Sequence, residues 1–113
     1  MAAVQAAGVP EQLQKNWYWG ALLYILLLGP FDKKEVMDAI DFKDESVDRE
    51  WLLDVVGYSS GQTFMVQLAL SLYSNENHLP EDGLADMQTL DPKCKALVMG
   101  AMALRFGMVK ISE

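Results

Sequence analysis

The sequence predicts an all-α fold, a compact bundle of about five helices in which three strongly apolar helices lie inside. Three observations predict this fold. Apolar residues recur at spacings of three and four along most of the chain, hydrophobic residues make up 51% of its 113 residues, and capping residues stand where the apolar stretches begin and end. This length predicts a single helical domain over 1–113. Residues 1–9 are small and weakly patterned, which indicates a flexible N-terminal arm.

The net charge of −7 argues against direct binding of nucleic acid. The nine basic residues of the chain are also scattered along the sequence, whereas a phosphate-binding face needs them clustered. The single cysteine, Cys94, cannot form an internal disulfide, so a reducing cytoplasm is the expected compartment. Only 22% of the residues are charged, so we expect some apolar surface to remain for a partner.

The stretch WYWGALLYILLLGPF over residues 17–31 is the most apolar part of the chain and is expected to form the central helix. Pro10 followed by Glu11 predicts that this helix starts at residue 10, and Gly29-Pro30 predicts that it ends after about Leu28. The uninterrupted apolar run has about 15 residues, whereas a bilayer needs about 20. We therefore expect a buried helix and no membrane span.

Two shorter amphipathic helices are expected next. Asp32 and Glu35 have the spacing of a capping box and predict a helix start. A charged connection follows over 41–46, and a further helix is predicted from about Ser46 to Gly57. No strand pattern is visible before the last six residues, which could add a short strand.

The second half of the chain predicts two longer helices. Ser59 and Gln62 again have capping-box spacing, and Asp91 before Pro92 indicates a helix that runs to about Phe106. We expect at most a turn of helix between them, over 84–90. We expect the core to contain ten large side chains: Trp17, Trp19, Leu23, Leu27, Trp51, Phe64, Leu68, Leu72, Leu97 and Leu104.

The sequence gives only weak support for catalysis or metal binding, and we predict no catalytic residue, no metal site and no cofactor. Cys94 would lie in the first turn of a helix, where the helix dipole lowers a thiol pKa, but no histidine stands near it in sequence. His78 lies in the loop NENHLPEDG, whose spacing fits neither a calcium loop nor a zinc motif. An enzyme or metal protein centred on Cys94 or His78 is the least favoured hypothesis.

Three segments of the second half, SSGQTFMVQLALSLYS, LADMQTLD and KALVMGAMALRFG, lie between Tyr58 and Gly107. Together they resemble the C-terminal half of small uncharacterised helical proteins from Gram-positive bacteria and their phages. The resemblance implies a small helical fold and an origin in a mobile element. It implies no activity, so it transfers no functional residues.

The favoured function is a non-enzymatic protein-interaction module from a bacterium or phage, expected to be a homodimer. Its contact face is predicted around Trp17, Tyr18 and Trp19, at the start of the central helix. The alternative is a small acidic phage or mobile-element inhibitor that blocks a basic nucleic-acid-binding surface of a host defence enzyme, as anti-CRISPR proteins do. Nine acidic and four basic residues lie over 32–54. This acidic segment would dock on a basic partner through Asp41, Asp44 and Asp48, unless it is only a solvated face.

Overall fold

A computed structural model describes residues 9–10, 13, 15–57, 59–81 and 83–108. Over these ranges the chain forms six helices and one short antiparallel strand pair, which confirms the predicted all-α bundle. The elements are α1 (Trp17–Leu28), α2 (Lys33–Asp38), β1 (Ile40–Asp41), β2 (Ser46–Val47), α3 (Arg49–Trp51, continued by a π-helical segment over Leu52–Val56), α4 (Ser60–Ser74), α5 (Gly83–Thr89) and α6 (Pro92–Arg105).

Helix α1 is the centre of the fold, as the apolar stretch predicts. It packs mainly against α4 and α6, and α2 adds a smaller contact. A helix that is apolar all round is stable only when it is covered on all sides. Eight of its twelve residues are accordingly buried: Trp19, Gly20, Ala21, Leu22, Leu23, Ile25, Leu26 and Leu27.

The central helix does not run unbroken from Pro10 as predicted, because α1 begins at Trp17. The Asn16 side-chain oxygen accepts hydrogen bonds from the backbone N–H groups of Tyr18 (2.9 Å) and Trp19 (3.1 Å). Asparagine is a strong N-cap, and its hydrogen bonds satisfy amides that the first helical turn leaves free. The predicted flexible arm lies outside the described residues except for Val9, which is buried.

The helix predicted from Ser46 is also corrected, because the chain makes a hairpin before it becomes helical. Ile40 pairs with Val47 and Asp41 with Ser46. The Asp41 carboxylate accepts the N–H groups of Lys43 (3.0 Å) and Asp44 (3.1 Å), which closes the turn between the two strands. The helix starts later, where Asp48 accepts the N–H of Trp51 at 3.0 Å.

Helices α4 and α6 begin as predicted. Ser59 and Gln62 form a complete capping box at the start of α4, and Asp91 accepts the N–H of Cys94 at the start of α6. Gly107 follows α6 in a left-handed conformation with φ of +72°. A Cβ atom on Gly107 would also lie 2.6 Å from the Trp17 ring, so both its backbone and the space around it favour glycine.

Most of the predicted core is confirmed. Trp17 is 47% exposed and Trp51 is 36% exposed, so the prediction was wrong for these two rings. The Trp51 indole N–H donates to the Glu35 carbonyl at 2.9 Å, which holds the ring on the surface. Leu97 is only partly buried, and the other seven predicted side chains are buried: Trp19, Leu23, Leu27, Phe64, Leu68, Leu72 and Leu104.

The helices of the described ranges include none that is both long and apolar enough to cross a membrane. The central helix α1 has only 12 residues. The possible strand over the last six residues of the chain lies outside the described residues except for Met108.

Candidate functional site

A group of exposed aromatic and apolar side chains lies where the start of α1 meets the end of α6. It consists of Trp17, Tyr18, Arg105, Phe106 and Met108, and we call it the aromatic patch. Trp17 is 47%, Tyr18 42%, Phe106 61% and Met108 77% exposed. The Trp17 ring lies against Gly107, which joins the two parts of the patch. Large apolar side chains grouped in this way on a small domain are typical of an interaction site.

Arg105 is held in place at the centre of the aromatic patch. Its Nε donates to the Leu72 carbonyl at 2.9 Å, and its Nη2 donates to Asn75 Oδ1 at 3.2 Å. Leu72 lies in the last turn of α4, whose carbonyl groups lack partners within the helix. The guanidinium carbon stands 3.7 Å from the centre of the Tyr18 ring and 5.4 Å from that of Phe106. These distances fit cation–π stacking, which fixes Tyr18 and Arg105 relative to each other.

Trp19 is buried beneath the surface and connects the start of α1 to the hairpin. Its ring centre lies 6.2 Å from that of Phe42 and 5.0 Å from that of Tyr73, the latter in an edge-on contact. Only 5% of Trp19 is exposed, so its ring cannot contact a partner directly. The structure thus places the hairpin, with Asp41 and Asp44, at the same end of α1 as Trp17 and Tyr18.

Tyr73 fastens the hairpin to α4. Its hydroxyl donates to the Glu45 carbonyl at 3.4 Å, and its ring packs on Trp19. Burial raises the pKa of the Tyr73 hydroxyl, which the positive charge of Arg49 partly offsets and the Glu45 carboxylate reinforces. The hairpin is therefore attached to α4 by aromatic packing and a hydrogen bond. Arg49 of the acidic segment adds an exposed ion pair with Glu76, in which the nitrogen and oxygen atoms are 3.7 Å apart.

The three predicted acidic contact residues differ in what they do. Asp41 closes the hairpin turn and Asp48 caps α3, so both carboxylates stabilise their own backbone. The Asp44 carboxylate makes no hydrogen bond or ion pair within the described part of the chain. All three side chains are exposed, and their negative charges are available to a partner.

Cys94 lies in a cleft of about 500 Å³ between the end of α1 and the starts of α4 and α6. Partial burial raises the pKa of its thiol, and the neighbouring Asp91 carboxylate raises it further. This is opposite to the lowered pKa that the helix start predicts, because burial and the negatively charged cap both disfavour the thiolate. The thiolate needed for nucleophilic catalysis is disfavoured here.

A serine and a histidine that the sequence analysis did not pair stand together near the end of α4. Ser74 Oγ and His78 Nε2 are 3.1 Å apart. The Ser74 hydroxyl donates to the Leu70 carbonyl at 2.8 Å, and the Glu76 carboxylate lies 3.9 Å from the same Nε2 of His78. A catalytic histidine instead uses one ring nitrogen for the serine and the other for the carboxylate. The contact anchors the loop over 75–81 to α4.

No group of three or more histidine, cysteine, aspartate or glutamate side chains within the described ranges could hold a metal ion. Comparisons with protein-family models, curated proteins and solved structures give no match for the chain. Sequence reasoning pointed to Trp17 and Tyr18 but missed Arg105, Phe106 and Met108. The spacing of Met99, Met102 and Phe106 indicates one helix face, but it does not show which part of that face another element covers.

Proposed function

We propose that the protein is a non-enzymatic protein-interaction module that forms a homodimer through the aromatic patch, in a reducing cytoplasm where Cys94 stays a free thiol. The observation that supports it best is the exposure of Trp17, Tyr18 and Phe106 around a fixed Arg105. Tryptophan, tyrosine and arginine are the residues most often found to dominate binding energy at protein interfaces.

The aromatic patch is preorganised for binding. Arg105 already donates two hydrogen bonds and stacks on Tyr18, so it has little conformational freedom left to lose on association. Immobilising a flexible side chain costs about 0.5–1.5 kcal/mol at an interface, and that cost is reduced here. Phe106 and Met108 project further into solvent and supply most of the apolar area that a partner would cover.

Among the described residues, Cys94 and Ser74 are nucleophiles with a neighbouring acid or base. The surroundings of both support the non-enzymatic part of the proposal. The pKa of Cys94 is raised rather than lowered. The Ser74 hydroxyl proton is directed to the Leu70 carbonyl, so His78 is not placed to remove it.

The homodimer is tested by light scattering during size-exclusion chromatography over a range of protein concentrations. We expect the wild type to show twice the monomer mass at high micromolar concentration. The double variant Phe106→Ser, Met108→Ser should be a monomer, because it removes the most exposed apolar groups of the aromatic patch without touching the core.

The matched control is Leu28→Ser, which removes a side chain that is 47% exposed at the opposite end of α1. This variant should still dimerise. A wild type that is strictly monomeric at high micromolar concentration would overturn the homodimer. Loss of the dimer in Leu28→Ser, but not in the patch variant, would overturn the assignment to the aromatic patch.

The second candidate function is inhibition of a basic nucleic-acid-binding surface on a host defence enzyme of a bacterium. It is supported by the acidic segment, in which nine acids outnumber four basic residues. The Asp44 carboxylate in this segment makes no hydrogen bond or ion pair with another described residue. An acidic surface of this kind attracts a basic channel by long-range electrostatics.

This candidate is tested with the triple variant Asp41→Asn, Asp44→Asn, Asp48→Asn. Asparagine keeps the oxygen that closes the hairpin and caps α3, so the variant removes three charges without removing the local hydrogen bonds. Binding should be measured against a basic host nuclease captured from lysate, by displacement of a labelled DNA duplex from that nuclease. We expect at least about tenfold weaker displacement, about 1.4 kcal/mol. Charge reversal to lysine at the same positions should abolish it, and unchanged displacement would rule out the acidic segment as the inhibitory surface.

A further inference from the structure

A groove runs along the side of the bundle between α5 and α6, with α4 as its floor. It has a volume of about 460 Å³, and the loop over 77–81 forms part of one wall. The three helices contribute six apolar side chains to its lining: Phe64, Leu68, Leu84, Met87, Met99 and Met102. None of them belongs to the aromatic patch or to the acidic segment.

The floor and the rim of the groove differ in exposure. Phe64 and Leu68 form the floor and are only 4% and 6% exposed. Leu84 on α5 is 89% exposed and Met99 on α6 is 56% exposed, so the rim presents large apolar groups to solvent. The described residues of α5 are all exposed or only partly buried. This wall of the groove is therefore only lightly attached to the bundle. A wall of this kind can adjust to an occupant.

The spacing of the lining residues matches a helical occupant. Each of the three helices contributes a pair three or four residues apart, such as Met99 and Met102 on α6 and Leu84 and Met87 on α5. Such pairs form the ridges between which the side chains of another helix pack. The walls of the groove consist of helices and a loop, so they offer no strand edge to which an extended peptide could add. Methionine side chains adapt to the shape of the helix that binds.

The charge of the groove limits which helix can bind. Among the described residues that line the groove, Glu81 is the only ionisable one. It is exposed, and its carboxylate makes no ion pair or hydrogen bond with any described residue. A partner that covers the groove would desolvate this carboxylate in part, which is unfavourable unless a cation is supplied. The net charge of −7 also favours the approach of a basic partner.

We infer that this groove binds an amphipathic α-helix of a partner protein, through apolar side chains at helical spacing and a lysine or arginine that pairs with Glu81. The inference goes beyond the proposed homodimer and uses a different surface. The partner helix would place three or four apolar residues in the groove, at positions i, i+3 or i+4, and i+7.

The test uses a labelled peptide of about 18 residues made only of leucine and lysine, with leucine at helical spacing; this length is enough for a helix to form. One matched peptide has the same composition with alternating leucine and lysine, and a second replaces lysine with glutamate. Fluorescence anisotropy with the full-length protein should give tight binding of the first peptide. Binding of each matched peptide should be at least about tenfold weaker.

Protein variants then locate the binding site. Leu84→Gln, Met99→Gln should weaken binding at least about tenfold, because both side chains lie on the rim and neither supports the core. Glu81→Gln should weaken binding of the lysine peptide and reduce its salt dependence. Leu28→Gln and Glu50→Gln, outside the groove, should bind as the wild type does. Equal binding of the alternating peptide, or wild-type affinity in Leu84→Gln, Met99→Gln, would overturn the inference.

Methionine methyl NMR gives an independent readout that does not depend on variants. The chain has seven methionines, of which three line the groove. The peptide should shift the methyl signals of Met87, Met99 and Met102 and leave those of Met37 and Met108 in place. Shifts centred on Met108 would instead place the peptide on the aromatic patch and overturn the inference. Failure of the proposed homodimer, measured by light scattering, would leave the groove result unaffected.

Discussion

Asp91 stabilises the start of α6 and at the same time disfavours the thiolate form of Cys94. Its carboxylate accepts the Cys94 N–H at 2.8 Å, which caps α6. The same negative charge disfavours the Cys94 thiolate and contributes to the raised pKa of the thiol. The helix start therefore does not activate Cys94, because burial of the thiol and the contacting Asp91 carboxylate both disfavour the thiolate.

The variant Asp91→Asn tests this relation. Asparagine still caps the helix but carries no charge, so we expect the pKa of Cys94 to fall toward its ordinary value. The thiolate fraction at neutral pH then rises, and iodoacetamide should label Cys94 faster in the variant than in the wild type. The same labelling in urea controls for probe reactivity. Equal rates in the two folded proteins would contradict the role of Asp91.

Asp91 also gives a signed pH dependence of stability. The hydrogen bond from the Cys94 amide lowers the pKa of the folded Asp91 carboxyl, so the unfolded chain binds this proton more readily. The contribution of Asp91 is present above its ordinary pKa and is lost as the pH falls through the lowered folded value. Urea unfolding between about pH 5 and pH 2 should therefore show a smaller loss of stability in Asp91→Asn than in the wild type.

Helix α1 shows how differently two neighbouring leucines contribute. Leu26 is fully buried between α1 and its neighbours, whereas Leu28 is 47% exposed near the end of the helix. Alanine is at least as good a helix former as leucine, so substitution tests packing rather than helix propensity.

We expect Leu26→Ala to lower the free energy of unfolding by about 2–5 kcal/mol, through lost burial and a cavity that the core cannot close. Leu28→Ala should cost less than about 1 kcal/mol, because its side chain already contacts water. Urea unfolding followed by circular dichroism measures both. Similar losses in the two variants would show that α1 is not the enclosed centre of the fold.

Local chemistry explains which elements the sequence predicts well. The starts of α2, α4 and α6 follow from Asp32, Ser59 and Asp91, whose side chains bond to amides three residues away, so the information is contained in four residues. The hairpin over 40–47 was missed because its strands have two residues each and show no alternating pattern. The start of α1 was misplaced because Pro10 and Asn16 are both acceptable N-terminal residues.

The candidate site depends on contacts that are distant in sequence. Arg105 reaches the Leu72 carbonyl 33 residues away and stacks on Tyr18 near the start of α1. The sequence places Trp17 and Tyr18 at the start of the central helix. The sequence does not show that Gly107 lies against one side of the Trp17 ring and leaves the rest of the ring exposed. Periodicity defines faces, and only the packed bundle determines which faces stay open.

At the scale of the molecule, the two candidate functions use neighbouring surfaces with opposite electrostatic consequences. Trp19 joins the start of α1 to the hairpin, so a homodimer formed through the aromatic patch brings two acidic segments near each other. Each chain has a net charge of −7, and the repulsion between two copies opposes the apolar contact. A basic partner at the same end of the molecule would instead be attracted.

The salt dependence of binding therefore distinguishes the two candidate functions. The Debye length falls from about 10 Å at 0.1 M to about 3 Å at 1 M salt, which screens exposed charges. We expect homodimer affinity, measured by sedimentation, to rise with sodium chloride over this range, because repulsion is removed while the apolar contact remains. The triple variant Asp41→Asn, Asp44→Asn, Asp48→Asn should dimerise more tightly at low salt and respond less to salt. Binding to a basic nuclease should fall with salt in the wild type. A homodimer that dissociates as salt rises would indicate an interface held by opposite charges, which the aromatic patch does not provide.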